Sequence, residues 1–151
     1  MVTCNDNKSL FLTKRYPRSK FMKPIVVAIA DDDISHYLIL KALISRLPLS
    51  ANVLHFTDGK EVYDYLIKNA SNQSMLPDYI FLDIYMPRMD GWEFLDKFEE
   101  IQDILTKKIA LYINSGSNEH KERALKHPLV KNYLRKPISE SEIQGILTLE
   151  N

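Results

Sequence analysis

Five short, largely apolar runs recur along the chain, and each is followed by polar residues and then by a stretch with helical periodicity. Such runs are typical of strands in a parallel sheet, where helices cover both faces of the strand. The predicted strands span residues 25–30, 52–56, 79–82, 109–113 and 130–134.

Helix-start signals precede the intervening stretches. Asp33 is a candidate N-cap for the first helix, which Pro48 stops. Three further starts have the capping-box spacing of an N-cap residue and a glutamate three positions later: Asp58 with Glu61, Asp90 with Glu93, and Ser139 with Glu142. The predicted helices span residues 34–47, 59–69, 91–105, 119–126 and 140–149, and the fourth is expected to start from Ser117 or Asn118.

The alternation of strands with helices predicts an α/β fold, a parallel sheet with helices on both faces. In the third helix, Phe94, Phe98, Ile101 and Leu105 recur three or four residues apart and form one apolar stripe. A right-handed doubly wound sheet gathers the carboxyl ends of its strands at one edge, where ligands bind. The residues that follow each strand are therefore the candidates for chemistry.

Four of the predicted strands are followed by polar side chains whose chemistry could be combined in one pocket. Taken alone, Asp83 after the third strand is equally consistent with a turn aspartate that has no chemical role. Together with the residues after the other strands, it forms a set of carboxylates, hydroxyls and an ammonium group that could hold Mg²⁺ and a phosphoryl group. The set comprises Asp31, Asp32 and Asp33, then Asp83, then Ser115 and Ser117, and finally Lys136 ahead of Pro137.

With these residues in their order and spacing, the chain resembles the receiver domain of two-component response regulators from about Pro24 onward. The resemblance implies a (βα)₅ doubly wound, flavodoxin-like fold with strand order 2-1-3-4-5. It also implies that Asp83 is the phosphoacceptor. The other matching positions are Asp31 and Asp32 for the acidic pair, Ser115 for the hydroxyl, Lys136 for the lysine before a proline, Pro87 and Gly91 for the turn after the phosphoacceptor, and Tyr133 for the switch aromatic.

The same resemblance implies an Mg²⁺ site formed by Asp31, Asp32, Asp83 and the backbone carbonyl of Tyr85. Helix capping accounts for only one of three consecutive acids, which favours the metal interpretation for the others. The spacing to the apolar positions of the first helix favours Asp31 and Asp32 as the pair, with Asp33 as the cap. The pair Asp32 and Asp33 is the alternative.

The remaining site residues have roles that the family suggests. Lys136 is expected to pair with Asp83 and then with a phosphoryl oxygen, and Ser115 to donate a hydrogen bond to the phosphoryl group. Ser115 and Tyr133 form the expected switch, although Tyr133 could be an ordinary strand aromatic. The four histidines show no metal-ligand spacing and are interpreted as surface or helix-end residues, and Trp92 as a packing residue.

Charge divides the chain into a leader and a domain. Residues 1–23 carry six basic side chains against Asp6, a net charge of +5, and the rest carries −5, for a total of zero. The leader has no apolar run long enough for a signal peptide or a membrane span. It is interpreted as disordered or weakly docked, with contact to RNA or lipid as the alternative, and residues 24–151 as the receiver domain. Cys4 is the only cysteine, so no internal disulfide forms and a cytoplasmic location is expected.

The expected function is that of a stand-alone receiver phosphorylated by a histidine kinase or a phosphotransfer protein. It signals to an unknown downstream protein through its fourth helix, fifth strand and fifth helix, with no nucleic-acid or membrane partner and with homodimerisation left open. The protein is not expected to be an enzyme, although it could catalyse its own phosphorylation and dephosphorylation. A receiver-like module that works without phosphorylation is the alternative.

Two other classes fit the sequence poorly. Phosphohydrolases that form an aspartyl phosphate need a second aspartate two residues after the nucleophile, where this chain has Tyr85. The four glycines form neither a dinucleotide-binding fingerprint nor a P-loop, which argues against a nucleotide- or flavin-binding domain.

Tyr85 and Ser117 occupy the two positions that tune water access to the acyl phosphate in this family. The bulky Tyr85 is predicted to shield the phosphoryl group and slow self-dephosphorylation. The substitution Tyr85→Asn should therefore shorten the phosphorylated lifetime, measured as decay of the phosphorylated protein after the donor is removed. An unchanged lifetime would eliminate the shielding hypothesis.

Overall fold

The computed structural model describes residues 23–149. Five strands alternate with five α-helices, and one short 3₁₀ turn follows the third helix. The strands are β1 (Ile25–Ala30), β2 (Ala51–Phe56), β3 (Tyr79–Leu82), β4 (Ala110–Ser115) and β5 (Val130–Arg135). The helices are α1 (Ile34–Arg46), α2 (Gly59–Lys68), α3 (Gly91–Ile101), α4 (Lys121–Lys126) and α5 (Glu140–Leu149), and the 3₁₀ turn spans Gln102–Ile104.

All five strands pair in parallel in the order β2-β1-β3-β4-β5, which confirms the predicted fold and strand order. The register aligns the strand ends, since Ala30 pairs with Leu82 and Leu82 with Ile113. The residues that follow β1, β3 and β4 therefore start from the same edge of the sheet.

Two apolar clusters fill the space between the sheet and its helices. Alternation along β3 divides its side chains, with Ile80 and Leu82 facing one cluster and Tyr79 and Phe81 the other. The first cluster packs against α2, α3 and α4, and the second packs against α1 and α5. Because both faces are covered, the three central strands are buried, as their apolar runs predict.

The structure corrects several predicted boundaries. The third helix ends at Ile101 instead of residue 105, because the 3₁₀ turn follows it, although Leu105 still packs against the first cluster. The fourth helix starts at Lys121 instead of residue 119 and has no side-chain cap. Ser117 does not cap it, because the Ser117 hydroxyl accepts from the N–H of Glu119 within the preceding loop. Other ends shift by one or two residues, which is the usual variation in assigning element ends.

The predicted basic leader lies outside the described residues, except for Lys23, which is exposed. Its interpretation as disordered or weakly docked stays a prediction. Within residues 23–149, no helix combines the length and the apolar composition needed to cross a bilayer.

Gly91, at the start of α3, lies against the backbone of the residues that follow β3. A Cβ atom at Gly91 would come within 2.5 Å of the Asp83 carbonyl oxygen, whereas a Cβ at Gly145 in α5 would have no heavy atom within 4 Å. Gly91→Ala should lower the free energy of unfolding by about 1–3 kcal/mol through this overlap. Gly145→Ala, the matched control, should raise it by about 0.5–1 kcal/mol because a helix interior favours alanine. Urea denaturation followed by the fluorescence of Trp92 measures both, and equal effects would contradict the prediction.

Candidate functional site

The backbone ladder of the sheet continues past the strand ends and fixes three polar residues at one edge. The N–H of Asp31 donates to the Phe56 carbonyl at 3.0 Å, and the N–H of Asp83 donates to the Ala30 carbonyl at 2.9 Å. On the far side, the N–H of Lys136 donates to the Ser115 carbonyl at 2.9 Å. Because backbone hydrogen bonds hold Asp31, Asp83 and Lys136, their side chains converge without depending on loop conformation.

Three carboxylates meet at this edge. Asp31, Asp32 and Asp83 each place an oxygen within 4.8 Å of the others. Asp31 and Asp83 are buried and Asp32 is exposed. Carboxylates this close repel one another unless cations stand between them, and hard oxygen ligands are what Mg²⁺ prefers. The donor set therefore fits a hard divalent cation.

Asp33 does not belong to this set. Its side chain accepts from the N–H of Ser35 at 2.8 Å and caps α1, and this hydrogen bond lowers the pKa of Asp33 below its ordinary value. The cap role predicted for Asp33 is confirmed, which leaves Asp31 and Asp32 as the acids beside Asp83. The Tyr85 carbonyl stays a prediction as a fourth ligand.

Lys136 supplies the positive charge of the site. Its ammonium nitrogen lies 2.5 Å from Asp31 Oδ2 and 3.3 Å from Asp83 Oδ1, and its side chain is 9% exposed. The structure thus places Lys136 between two carboxylates, closer to Asp31 than to the predicted partner Asp83. The Lys136–Pro137 peptide bond is cis.

His36 is a neighbour of the site that its sequence interpretation missed. Its Nδ1 lies 3.2 Å from Lys136 Nζ and 3.4 Å from Asp31 Oδ2. The sequence did contain a signal for this neighbour. His36 follows Asp33 by three residues, and a helix that starts there brings residues at this spacing onto the same side. His120 and His127 flank α4 as helix-end residues, whereas His55 lies in β2 and stacks on Tyr37.

The pKa of Asp83 is raised above its ordinary value. Burial is the main cause, since it disfavours the charged form, and the neighbouring Asp31 adds to the effect. Lys136 opposes the shift, as does the N–H of Ile84, which donates to Asp83 Oδ1 at 2.9 Å. Burial therefore outweighs the stabilisation that Lys136 and the Ile84 N–H give to the charged form of Asp83.

The loop between β3 and α3 is anchored to the start of α2. Arg88 has a positive φ of 63°, uncommon for a residue with a side chain, and its guanidinium contacts the fully buried carboxylate of Asp58. A second bond, 3.0 Å long, joins the Arg88 guanidinium to Glu61. In the same region the N–H of Gly59 donates to the Met89 carbonyl at 3.0 Å. The segment after Asp83 is thus held against α2, a role for Arg88 that no sequence motif indicated.

A cavity of about 490 Å³ opens over Asp83. Its wall includes parts of α1, the β3–α3 loop, the β4–α4 loop and the segment after β5. The lining residues that matter here are His36, Ile39, Tyr85, Ser115, Ser117 and Lys136. The cavity is open to solvent and gives a small donor direct access to the carboxylate.

The two predicted switch residues lie on neighbouring strands and both contact the β4–α4 loop. Ser115 is buried, and its hydroxyl oxygen accepts from the N–H of Ser117 at 3.4 Å. Tyr133 is 7% exposed, and its hydroxyl donates to the Ser117 carbonyl. Both side chains therefore contact Ser117, and the ring of Tyr133 points inward.

Asn114 is a buried polar residue that sequence reasoning passed over. It is 5% exposed, and its side-chain oxygen has no hydrogen-bond partner within residues 23–149. It lines a cavity of about 20 Å³ together with His36 and Lys136. That volume suits one water molecule, which would satisfy the amide beside the lysine. The available signal was an asparagine two residues after Tyr112, on the strand face that packs against α1 and α5.

A family model and several known proteins are similar to this chain. The family model described as response regulator receiver domain matches residues 27–148. A probable methanogenesis regulatory protein, FilR2 of Methanothrix harundinacea, is 25% identical over 80% of this chain and 77% of its own length. A two-component response regulator from Cytophaga hutchinsonii has a similar structure (TM-score 0.73, 22% identity, 83% of this chain and 95% of that one). A response regulator receiver protein from Dyadobacter fermentans is also similar (TM-score 0.68, 23% identity, 82% and 94%).

The raised pKa of Asp83 predicts a stability gain on removing its charge. Above about pH 4 the unfolded chain releases this proton while the folded protein retains it, so the free energy of unfolding falls as pH rises through the folded pKa. Asp83→Asn should therefore raise the free energy of unfolding, and with it the Tm, at pH 7 without divalent cations. The gain should shrink at pH 4.

Thermal unfolding of the wild type and Asp83→Asn at pH 4 and 7, with and without Mg²⁺, tests this prediction. Mg²⁺ should raise the Tm of the wild type more than that of the variant, because the variant has lost one carboxylate of the set. If Asp83→Asn were less stable than the wild type at pH 7, the raised pKa of Asp83 would be contradicted.

Proposed function

Since the chain belongs to the response regulator receiver family, we propose that it accepts a phosphoryl group on Asp83 from a histidine kinase or a phosphotransfer protein. The single observation that carries this proposal is the convergence of Asp31, Asp32 and Asp83 with Lys136 at one sheet edge. The proposal includes a cytoplasmic location, where histidine kinases obtain their phosphoryl group from ATP.

The chemistry follows from the side chains at this edge. An oxygen of Asp83 forms a bond to phosphorus while the bond between phosphorus and the donor's imidazole nitrogen breaks, and the imidazole departs. Lys136 already lies 3.3 Å from Asp83 and offers its ammonium group to the charge on the transferred phosphoryl oxygens. The Ser115 hydroxyl, which lines the same cavity, is the donor for another of those oxygens.

A divalent cation completes the site. Asp31, Asp32 and Asp83, with the backbone carbonyl of Tyr85, are the residues that would hold Mg²⁺. When bound, the ion neutralises the carboxylates and the phosphoryl oxygens. Lys136 alone offsets one of the three negative charges, so the residues themselves leave a net negative site that a cation would relieve.

The output is proposed to pass through Ser115 and Tyr133. A Ser115 hydroxyl drawn toward a phosphoryl group would release its contact with the N–H of Ser117, and the Ser117 carbonyl is also the acceptor for Tyr133. The two residues thus share one loop, whose rearrangement would bias the surface formed by α4, β5 and α5 toward a separate partner protein.

The donor protein is proposed to dock on α1. Three apolar residues of this helix, Ile34, Leu38 and Ile39, are each about half exposed, at 53%, 54% and 49%. Ile39 also lines the cavity over Asp83, so the apolar surface is continuous with the entrance. A histidine that reaches Asp83 through this entrance brings its own protein against α1, and apolar contact there would hold the complex together.

One prediction of the proposed function concerns the phosphoryl adduct on Asp83. Acetyl phosphate with Mg²⁺ should give a single phosphoryl adduct by intact-protein mass spectrometry, because the cavity admits a small donor. Asp83→Asn should give no adduct, and neither should the wild type without Mg²⁺. An absent adduct, with Mg²⁺ binding demonstrated and no fast turnover of the donor, would contradict the proposal and favour a module that acts without phosphorylation.

Another prediction separates docking of the donor protein on α1 from phosphoryl transfer to Asp83. Leu38→Arg should slow transfer from a phosphorylated kinase domain about tenfold, while acetyl phosphate should label it at the wild-type rate. The probe is whichever kinase domain labels the wild type fastest in a purified panel. Ile67→Arg is the control, because Ile67 is a comparably exposed apolar residue (41%) on α2. Equal losses in both variants, or none in Leu38→Arg, would rule out docking on α1.

A further inference from the structure

Tyr85 reaches from the phosphoacceptor loop to the start of α4. Its hydroxyl lies 2.6 Å from His120 Nε2, and the two rings are 5.5 Å apart at their centroids. The side chain is 57% exposed and would be free to change rotamer if nothing held its end. A longer contact of 3.5 Å joins the same hydroxyl to Glu119 Oε2. The shorter contact with His120, called here the Tyr85–His120 bridge, holds the ring at one side of the cavity over Asp83.

His120 is well placed to hold the tyrosine. Its side chain is only 21% exposed, and its ring meets the edge of Trp92 at 5.8 Å. The guanidinium of Arg123 covers the Trp92 ring at 3.9 Å. This packing holds the imidazole that Tyr85 contacts.

The helix start does not compete for the imidazole. His120 occupies the N-cap position of α4, yet its side chain makes no capping hydrogen bond. The loop before it is held by its own contacts, since the Ser117 carbonyl accepts from Tyr133 and the Ser117 hydroxyl accepts from the N–H of Glu119 at 3.1 Å. These contacts order the loop that leads to His120, and its Nε2 lies within hydrogen-bond distance of the tyrosine hydroxyl.

We infer that His120 is the positioning residue for Tyr85, and that the Tyr85–His120 bridge sets how long the phosphoryl group on Asp83 survives. This inference rests on the proposed function. In hydrolysis, a water oxygen bonds to phosphorus as the bond from phosphorus to the Asp83 oxygen breaks, which releases inorganic phosphate and restores the carboxylate. The water must approach in line through the cavity that Tyr85 lines. A ring held in place narrows that approach, and a released ring opens it.

Decay of the phosphoryl adduct tests the inference. The wild type, Tyr85→Phe, His120→Ala and the double variant are labelled with acetyl phosphate and Mg²⁺, freed of donor by rapid desalting, and followed by intact-protein mass spectrometry. Each single variant should shorten the half-life about two- to tenfold, the effect expected from one hydrogen bond. The double variant should decay no faster than the faster single variant, because both changes break the same contact.

Two further variants separate positioning from a general structural effect. His120→Gln, whose amide can still bond the tyrosine hydroxyl, should restore most of the lifetime. Lys121→Ala, an exposed neighbour in α4, should leave it unchanged. Urea denaturation of each variant shows whether the fold is intact.

The outcomes are distinguishable. A wild-type lifetime in His120→Ala and in Tyr85→Phe, or additive effects in the double variant, would overturn the bridge while leaving phosphorylation of Asp83 in place. If Tyr85→Asn alone then shortens the lifetime, the ring shields without His120. A wild type that never forms an adduct would overturn the proposed function, and the inference with it.

Discussion

The concentration of negative charge at the carboxyl edge of the sheet is the constraint on which the site depends. Three carboxylates with oxygens within 4.8 Å would separate if they stood on loops, but the backbone bonds of Asp31 and Asp83 to neighbouring strands hold them together. Lys136, fixed by its own backbone bond to Ser115, relieves part of the repulsion. The apolar core that positions the strands therefore sustains an electrostatic arrangement that the site alone could not maintain.

The remaining charge imbalance gives the site its chemistry. Lys136 divides its ammonium group between Asp31 and Asp83, and burial raises the pKa of Asp83 in spite of it. A cation or a phosphoryl group changes that balance, and Lys136 is placed to move its contact from one oxygen to another. The strands hold the carboxylates in place, and Lys136 balances only part of their negative charge. A cation or a phosphoryl group could therefore bind at this edge without a change of fold.

Local sequence signals predicted the strands and the acidic residues that directly follow them. The apolar runs indicated all five strands, and the residues directly after β1 and β3 are the acids that the structure gathers. Loop geometry escaped prediction for a physical reason. The start of α4 depends on what Ser117 bonds, and the role of Arg88 depends on the buried carboxylate of Asp58, thirty residues earlier in the chain. A contact between residues as far apart as Arg88 and Asp58 leaves no local pattern. At Ser117 the sequence shows a hydroxyl but not which N–H it accepts from, so sequence reasoning missed both features.

The position of His120 ties the site to the surface proposed to carry the output. Its ring contacts both Tyr85 and Trp92, while its backbone occupies the N-cap position of α4. A protein that binds α4 and shifts its first turn would move the imidazole away from the tyrosine hydroxyl, whereas one that clamps the turn would hold the ring in place. Partner binding would then alter the survival of the phosphoryl group through a single contact. On the proposed function, the duration of the signal would depend on which protein receives it, because His120 joins the proposed α4 output surface to the ring beside Asp83.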